Sequence, residues 1–584
     1  SFFANTSYRM RMDVGDAVQD YLSVEALGDV FDFYIWSGTP REALTAYGTL
    51  TGLPIFPPEW VFEPWAGGGG GRWRNGPLQD IALEQMAAMK KFHELDIPHS
   101  GFYAEGAGAT FFGEYKKEEL YKVVSFGERH GFKVFSWQFP NMTQELAQEL
   151  LPECPKEELP ITRNKNDEEE KLPVYIDFSH PRAKELLAAQ WKDRMDAGIR
   201  GSMVDFGDVV PDEAVFYDGR RGDEMHNAYA YQYAKNYREL FEQKYGDDHV
   251  LYTRGAAPGS QHFACQFGGD QLTSFQGLKY AIAGGLSAAA SGLPFWGVDA
   301  GGYDGFPDQE TYLRWTEYAA FCPLMRFHGT EPREPWEYDA FTVKVYRYYT
   351  WLRENLRPYI VSVAAEAHKL GIPMMRPLAM MYPEDQEATK VWDEYLFGED
   401  LLVAPVSDET EEREIYFPEG RWISLWNLND EISGPVQRSV EVPIDKIPVY
   451  IREGSFLPLR LNESLKLGES MSESETEMIL AVVPQNDSIV KETLYERSGA
   501  KTCCGMEKNG ETIQLQISGR TAELYVMLAG IHWKNTEAIV NGRTLTKVTA
   551  REGLYFTEGY LELEEGILVK INPSAESVIK IQKK

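Results

Sequence analysis

Three short apolar runs in this chain each end in an acidic residue. They are residues 201–208 (GSMVDFGD), 262–270 (HFACQFGGD) and 292–302 (GLPFWGVDAGG). Asp205 directly precedes Phe206-Gly207, Asp270 directly follows Gly268-Gly269, and Asp299 directly precedes Ala300-Gly301-Gly302. Glycine beside an acid lets backbone or ligand approach the carboxylate closely. Two carboxyl groups in unlike surroundings are what cleavage of a glycosidic bond requires: one attacks or activates water, the other protonates the leaving oxygen. Hydrogen bonds or a cation such as Arg254 can hold Asp205 ionised as a nucleophile. Asp270, beside Phe267 and the apolar stretch of its strand, can have its pKa raised by desolvation and act as the acid. Asp208 is the alternative partner; three residues from Asp205, it is better placed to support than to react.

Carboxylates at successive strand ends need a scaffold that gathers those ends. Strand-like runs occur at 61–67, 100–106, 133–139, 201–207, 249–255, 262–269, 293–299 and 323–329. Helical periodicity fills several intervals, as in LQDIALEQMAAMKKFHEL, HPRAKELLAAQWKDRMDAG and QGLKYAIAGGLSAAAS. Eight strands with crossovers long enough for parallel pairing predict an α/β fold, a (β/α)8 TIM barrel whose strand C-termini carry the chemistry. The crossover between Arg254 and Asp270 is too short for a full helix and is expected to be a loop. A charged, Pro-containing insertion, 141–172, follows the third strand. The barrel spans 53–385. Short strands and turns after it predict two β-sandwiches, 386–461 and 462–584. Residues 1–52 hold strand-like YRMRMDV and VFDFYIW, then a short helix starting at Thr39 or Pro40.

The 584 residues are 43% apolar and 13% aromatic, enough for a large core, and carry a net charge of −32. That charge disfavours nucleic acid, anionic membranes and polyanionic substrates as partners. Five cysteines without metal-ligand spacing point to neither zinc nor a disulfide framework. No apolar stretch reaches membrane-spanning length. The chain reads as soluble and cytoplasmic, needing no metal or organic cofactor, and a homo-oligomer is compatible with it.

Blander readings compete. A single strand-end aspartate is ordinarily a helix N-cap or turn former, but three of them, with Arg254 and His328 ending two more strands, are harder to explain that way. Trp65, Trp137 and Trp296 suit core filling or stacking against sugar faces. The glycines 67–71 lack the GK[ST] of a phosphate loop and read as a flexible loop. His226 reads as helix packing.

Taken together the segments GLPIFPPEW, VDFGD, DEMHNAYAY, YTRGAAPGSQHFACQFGGD, FWGVDAGGY, LMRFHGTEPREPWEYD and PVYIREGSFLPL resemble glycoside hydrolase family 31, the retaining α-glycosidases, over roughly residues 28 to 460. The local pattern is nearest to the bacterial α-xylosidase and sulfoquinovosidase branches. The resemblance implies Asp205 as nucleophile and Asp270 as acid/base. It implies Arg254, His328 and Asp299 as sugar-binding groups, Trp137 as a subsite aromatic and Tyr303 as a further contact; Trp65, Trp296, Phe267 and Asp208 are candidate substrate contacts from their places at or beside the strand ends. Three departures qualify it. Glu105, after Ala104, stands where the family has an aspartate binding sugar hydroxyls. Met203 replaces a lysine of the xylosidase-like relatives. The family's N-terminal β-sandwich is reduced to a remnant at 1–52. The expectation is an exo-acting α-glycosidase of α-linked oligosaccharides or glycosides, α-glucosidase first, with α-galactosidase, sulfoquinovosidase and transglycosylation as alternatives. An inactive carbohydrate-binding barrel is the alternative from another class.

Overall fold

The computed structural model describes residues 1–28, 30–68, 78–104, 106–107, 115–163, 174–208, 210–472, 477–486, 488–520, 522–555, 557–574 and 576–584. Eight parallel strands close a barrel in chain order: Trp65–Gly68, Gly101–Ala104, Lys133–Gln138, Gly201–Val204, Val250–Thr253, Cys265–Phe267, Trp296–Asp299 and Leu324–Arg326. The last pairs with the first through Arg326 and Trp65. Each coincides with one of the eight strand-like runs, the first reaching one residue beyond the run at 61–67. The second, fourth, fifth and seventh are buried at every residue, as strands must be between a filled barrel and an outer helical ring.

Local chemistry sets where these strands begin. Helix Ala183–Ala197 stops on Gly198 at a φ of 104°, and the fourth strand starts three residues later. A side chain on Gly201 would meet the Phe135 ring at 2.5 Å and Val250 at 2.9 Å. Phe135 thereby fills the barrel's lower interior with Trp65, its ring centroid 4.9 Å away. Between the fifth and sixth strands there is only the 3-10 turn Ser260–His262, so that crossover is loop-like as expected. Helix Ala340–Leu370, capped by Asp339 and ended by Gly371, lies outside the barrel. Its buried Arg353 donates to the carbonyls of Phe62, Ala320, Cys322 and Pro323, which ties down the barrel's N-terminal end.

Three sheets follow. Met375–Pro377, Tyr395–Phe397, Leu401–Val403, Val449–Arg452, Glu412–Ser424 and Asn427–Glu441 form one six-stranded sheet. Alternation gives it two covered faces. Leu401, Val403, Ile423, Val449 and Ile451 join the core that runs on from the barrel. Leu402, Trp422 and Tyr450 join a second core with Leu378 and Ala388. Two further six-stranded sheets enclose a core of their own, including Val482, Ile513, Leu515, Val526, Ile567 and Ile581. The first sheet opens at Met375, ahead of the division expected at 386. Phe456–Leu461 pairs within the distal sheets, ahead of that expected at 462.

At the other end, Phe2–Asn5 pairs with Asp32–Ile35 and Met10–Val14 with Leu22–Ala26, before helix Pro40–Thr51 with its Thr39–Glu42 capping box. These strands are moored to the barrel through helix Gly222–Tyr245. The Asn227 side chain donates to the carbonyls of Thr6 and Tyr8 at 3.1 and 2.7 Å, and its backbone N–H to that of Ser7 at 2.7 Å. The insertion after the third strand opens as a short pairing of Asn141–Met142 with Val174–Tyr175, followed by helix Gln144–Leu150. No helix among the described residues is long and apolar enough to cross a membrane.

Candidate active site

The C-terminal ends of the fourth, fifth and sixth strands meet at Arg254. It directly follows the fifth strand, and its guanidinium lies 3.0 Å from Asp205 Oδ1 and 3.6 Å from Asp270 Oδ1. Two carboxylates from different strands thus share one cation. Their surroundings differ sharply: the Asp205 side chain is 7% exposed and that of Asp270 51%.

Asp205 is held by three kinds of donor. The Trp137 indole N–H reaches Oδ2 at 3.0 Å, the Phe206 backbone N–H reaches Oδ1 at 2.9 Å, and Arg254 completes the set. Its own N–H donates to the Gln138 carbonyl at 2.7 Å, continuing the ladder between the third and fourth strands. Burial raises its pKa above the ordinary aspartate value. Arg254, Trp137 and the Phe206 N–H oppose that rise, and the charge of Asp270 adds to it.

Beneath lies a second, drier layer. Asp299 and Arg326 are neighbours in the register of the seventh and eighth strands and form a buried ion pair. The Arg326 guanidinium also donates to the Tyr252 hydroxyl at 3.0 Å and sits between the rings of Tyr252 and Phe267, 4.8 and 5.1 Å from their centroids. Desolvation pushes Asp299 up to about 7, with Arg326 pulling the other way. His328 is buried against the rings of Tyr103 (4.3 Å) and Tyr303 (5.5 Å). Burial, and then the charges of Arg326 and Arg333, press its pKa well below the usual histidine value, so the imidazole is neutral. Arg333 binds the loop after the seventh strand, donating to the carbonyls of Gly302, Tyr303 and Gly305 at 2.7–3.1 Å. Gly301, Gly302 and Gly305 have φ of 91°, 78° and 87°, backbone that a side chain would strain.

Of the residues expected from sequence, Asp205, Asp270, Arg254, Asp299, His328, Trp137 and Tyr303 meet here. Asp208 is exposed on the turn after Asp205, close to Gly255. Glu105 and glycines 69–71 lie outside the described residues. Three aromatics are placed elsewhere. Trp65 is fully buried against Phe135 and Tyr252 in the barrel interior, closed to a sugar. Trp296 points outward, its ring against Gly285 of helix Phe275–Ala290 and under the Gly268 turn, so it buttresses the Asp270 loop. Phe267 faces inward beneath Arg326, which leaves Asp270 open to solvent instead of enclosed by apolar surface as expected. Sequence reasoning passed over Arg326 and Arg333. Their signal was a cation inside or just after an apolar run, which demands an anion or a set of carbonyls once buried. Among the described residues no group of three or more His, Cys, Asp or Glu side chains is arranged to hold a metal ion.

Known proteins share this architecture. A family model described as the glycosyl hydrolases family 31 TIM-barrel domain matches residues 55–363, and one for the glycosyl hydrolase family 31 C-terminal domain matches 371–457. An isomaltosyltransferase of Sporosarcina globispora is 27% identical, over 98% of this chain and 58% of its own. Alpha-glucosidase 2 of Bacillus thermoamyloliquefaciens is 26% identical, over 78% of this chain and 60% of its own. The cycloalternan-forming enzyme from Listeria monocytogenes, solved with a pentasaccharide substrate, superposes on the whole chain with a TM-score of 0.88. At 22% identity and 60% coverage of that protein, it shows a common fold. The chain spans about three fifths of the length of these relatives.

Proposed function

The chain belongs to glycoside hydrolase family 31, and from that membership we propose that it is a retaining, exo-acting α-glycosidase with glucose in the subsite where cleavage occurs. One observation carries the reading. A single guanidinium spans two carboxylates, one enclosed and held by donors, the other open to solvent. Asp205 attacks the anomeric carbon while Asp270 gives its proton to the glycosidic oxygen; the C1–O bond breaks and a β-glycosyl ester forms on Asp205. Asp270, now a carboxylate, takes a proton from water as the water attacks C1 and releases Asp205. Two inversions restore the α configuration. The donors on Asp205 spread its charge before attack and again as it departs. The Arg326-paired Asp299, the neutral His328 and Arg254 offer hydrogen-bonding groups to the sugar hydroxyls.

Hydrolysis of 4-nitrophenyl α-glucoside, α-galactoside, α-xyloside and α-sulfoquinovoside, followed by NMR, tests this. The expected result is glucoside cleavage with the α-anomer formed first and loss of activity in Asp205→Ala. The β-anomer first would reject retention, and cleavage of the galactoside or sulfoquinovoside alone would reassign the sugar.

The match to an isomaltosyltransferase over nearly the entire chain favours a second reading, in which a sugar hydroxyl takes the place of water in the second step. Larger oligosaccharides formed from concentrated isomaltose or maltose would support it; monosaccharide release alone would count against it.

A further inference from the structure

Phe206, directly after Asp205, has a φ of 57°. Left-handed backbone in a bulky residue costs about 1–3 kcal/mol, persists where the surroundings over-determine it and clusters at functional sites. Glycine would remove the cost, yet the chain places its glycine one position later. There, at Gly207, a Cβ would meet the Tyr233 ring at 2.6 Å. The strained turn aims the Phe206 N–H back at Asp205 Oδ1 and throws the ring outward. Glycine would satisfy the first of these tasks, so the ring is what the strain is kept for.

The ring's position is informative. The Arg254 guanidinium lies over it, 4.2 Å from its centroid. Trp137 and Phe139 meet it edge-on at 6.3 and 6.4 Å. It still remains 41% exposed. Side-chain exposure rises from Asp299 (1%) through Asp205 (7%) and Arg254 (20%) to Asp270 (51%), and Phe206 as a whole residue is 41% exposed. The sugar that leaves must sit at the level of the group that protonates it, which is Asp270. Tyr103, Tyr252 and Phe267 are buried below that level. Of the described aromatic rings against Arg254 or Asp205, Trp137 is half-buried and Phe206 is exposed.

We infer that Phe206 is the stacking platform for the leaving sugar, and equally for an acceptor sugar that replaces water. It is therefore a specificity-determining residue that favours glycosyl transfer over hydrolysis. The inference rests on the glycosidase reading and deepens it. An aromatic ring contributes broad, rigid apolar area to one face of a sugar, and the Arg254 cation on the opposed group fixes its tilt.

α-Glucosyl fluoride separates the two ideas, because its C1–F bond breaks without a sugar in the leaving position. Phe206→Ala, Phe206→Gly and Phe206→Tyr are compared with wild type on the fluoride and on isomaltose, with folding checked by thermal melts. In the Ala and Gly variants kcat/KM is expected to fall at least about tenfold more on isomaltose than on the fluoride, mainly through KM. The ratio of transfer to hydrolysis should drop, and Tyr should restore both. The Gly variant relieves the backbone strain, so agreement between Ala and Gly assigns the effect to the ring. Equal losses on both substrates would overturn the inference and leave the glycosidase reading standing. A wild-type protein inert toward the fluoride would overturn both.

Discussion

The floor and the rim of the barrel mouth carry the same residue type in opposite conditions. Asp299, on the floor, is 1% exposed and locked to Arg326 between two aromatic rings. Asp270, on the rim, is 51% exposed with Arg254 at 3.6 Å. Asp205 lies between, enclosed like the first and sharing a cation with the second. The difference teaches that position along a strand end, measured in one or two residues, decides what a carboxylate can do. Val298, Asp299 and Ala300 are all buried, whereas Asp270 is carried clear of its strand by Gly268-Gly269. A buried, paired carboxylate orients; an open one exchanges protons with whatever enters.

Removing the middle member breaks the comparison most severely. Asp205→Ala is expected to lower kcat by about 10⁴-fold or more on every substrate, because among the described residues no other carboxylate takes its set of donors. Added azide should yield a glycosyl azide of β configuration in that variant, visible by NMR. An azide product of α configuration, or none at all, would move the nucleophile elsewhere.

Asp270→Ala comes next, and its effect should depend on the leaving group. A loss of about 10²- to 10⁴-fold on isomaltose, far milder on α-glucosyl fluoride, is what removal of a general acid produces. A uniform loss would recast Asp270 as a structural group. This contrast separates rim from floor, since a floor residue holding the sugar should not distinguish leaving groups.

Arg326→Met attacks the floor itself. Leaving Asp299 buried without its partner should cost about 3–5 kcal/mol of stability, read as a lower denaturant midpoint. Asp299→Asn combined with it should recover part of that loss, a non-additivity a double-mutant cycle would quantify. Additive losses would mean that the pair does not act as a unit.

The same contrast explains what was legible in the sequence. The eight strands were, because apolar runs of strand length alternate with helical periodicity. The convergence of Asp205, Arg254, Asp270, Asp299 and His328 was, because strand ends of a parallel barrel face one way. Which face each strand residue takes was not. A strand buried on both sides carries no alternation of polarity to read, so core filling and sugar stacking could not be told apart for Trp65 and Trp296, nor the side that Phe267 takes. Trp65 turned out to fill the interior, Phe267 to underlie Arg326 and Trp296 to brace a helix. The Asp299–Arg326 pair was hidden for a related reason, since partners on different strands meet only once register is known. Nothing in the letters DFG announces that the phenylalanine has the positive φ.

The smallest effect joins the middle member to the rim. Asp270 raises the pKa of Asp205 through like-charge repulsion, whereas Arg254, Trp137 and the Phe206 N–H lower it. As the proposed nucleophile Asp205 must be ionised to attack, so activity is expected to fall as pH drops through its pKa. Asp270→Asn deletes one upward contribution and should move that acid limb to lower pH. The measurement needs α-glucosyl fluoride, because with a leaving sugar the loss of the acid would mask the shift. A limb that stays put would mean that the Arg254 guanidinium between the two carboxylates screens them completely. A limb that moves upward would mean that Asp270 helps to keep Asp205 ionised, by holding Arg254 in place more than by its own charge.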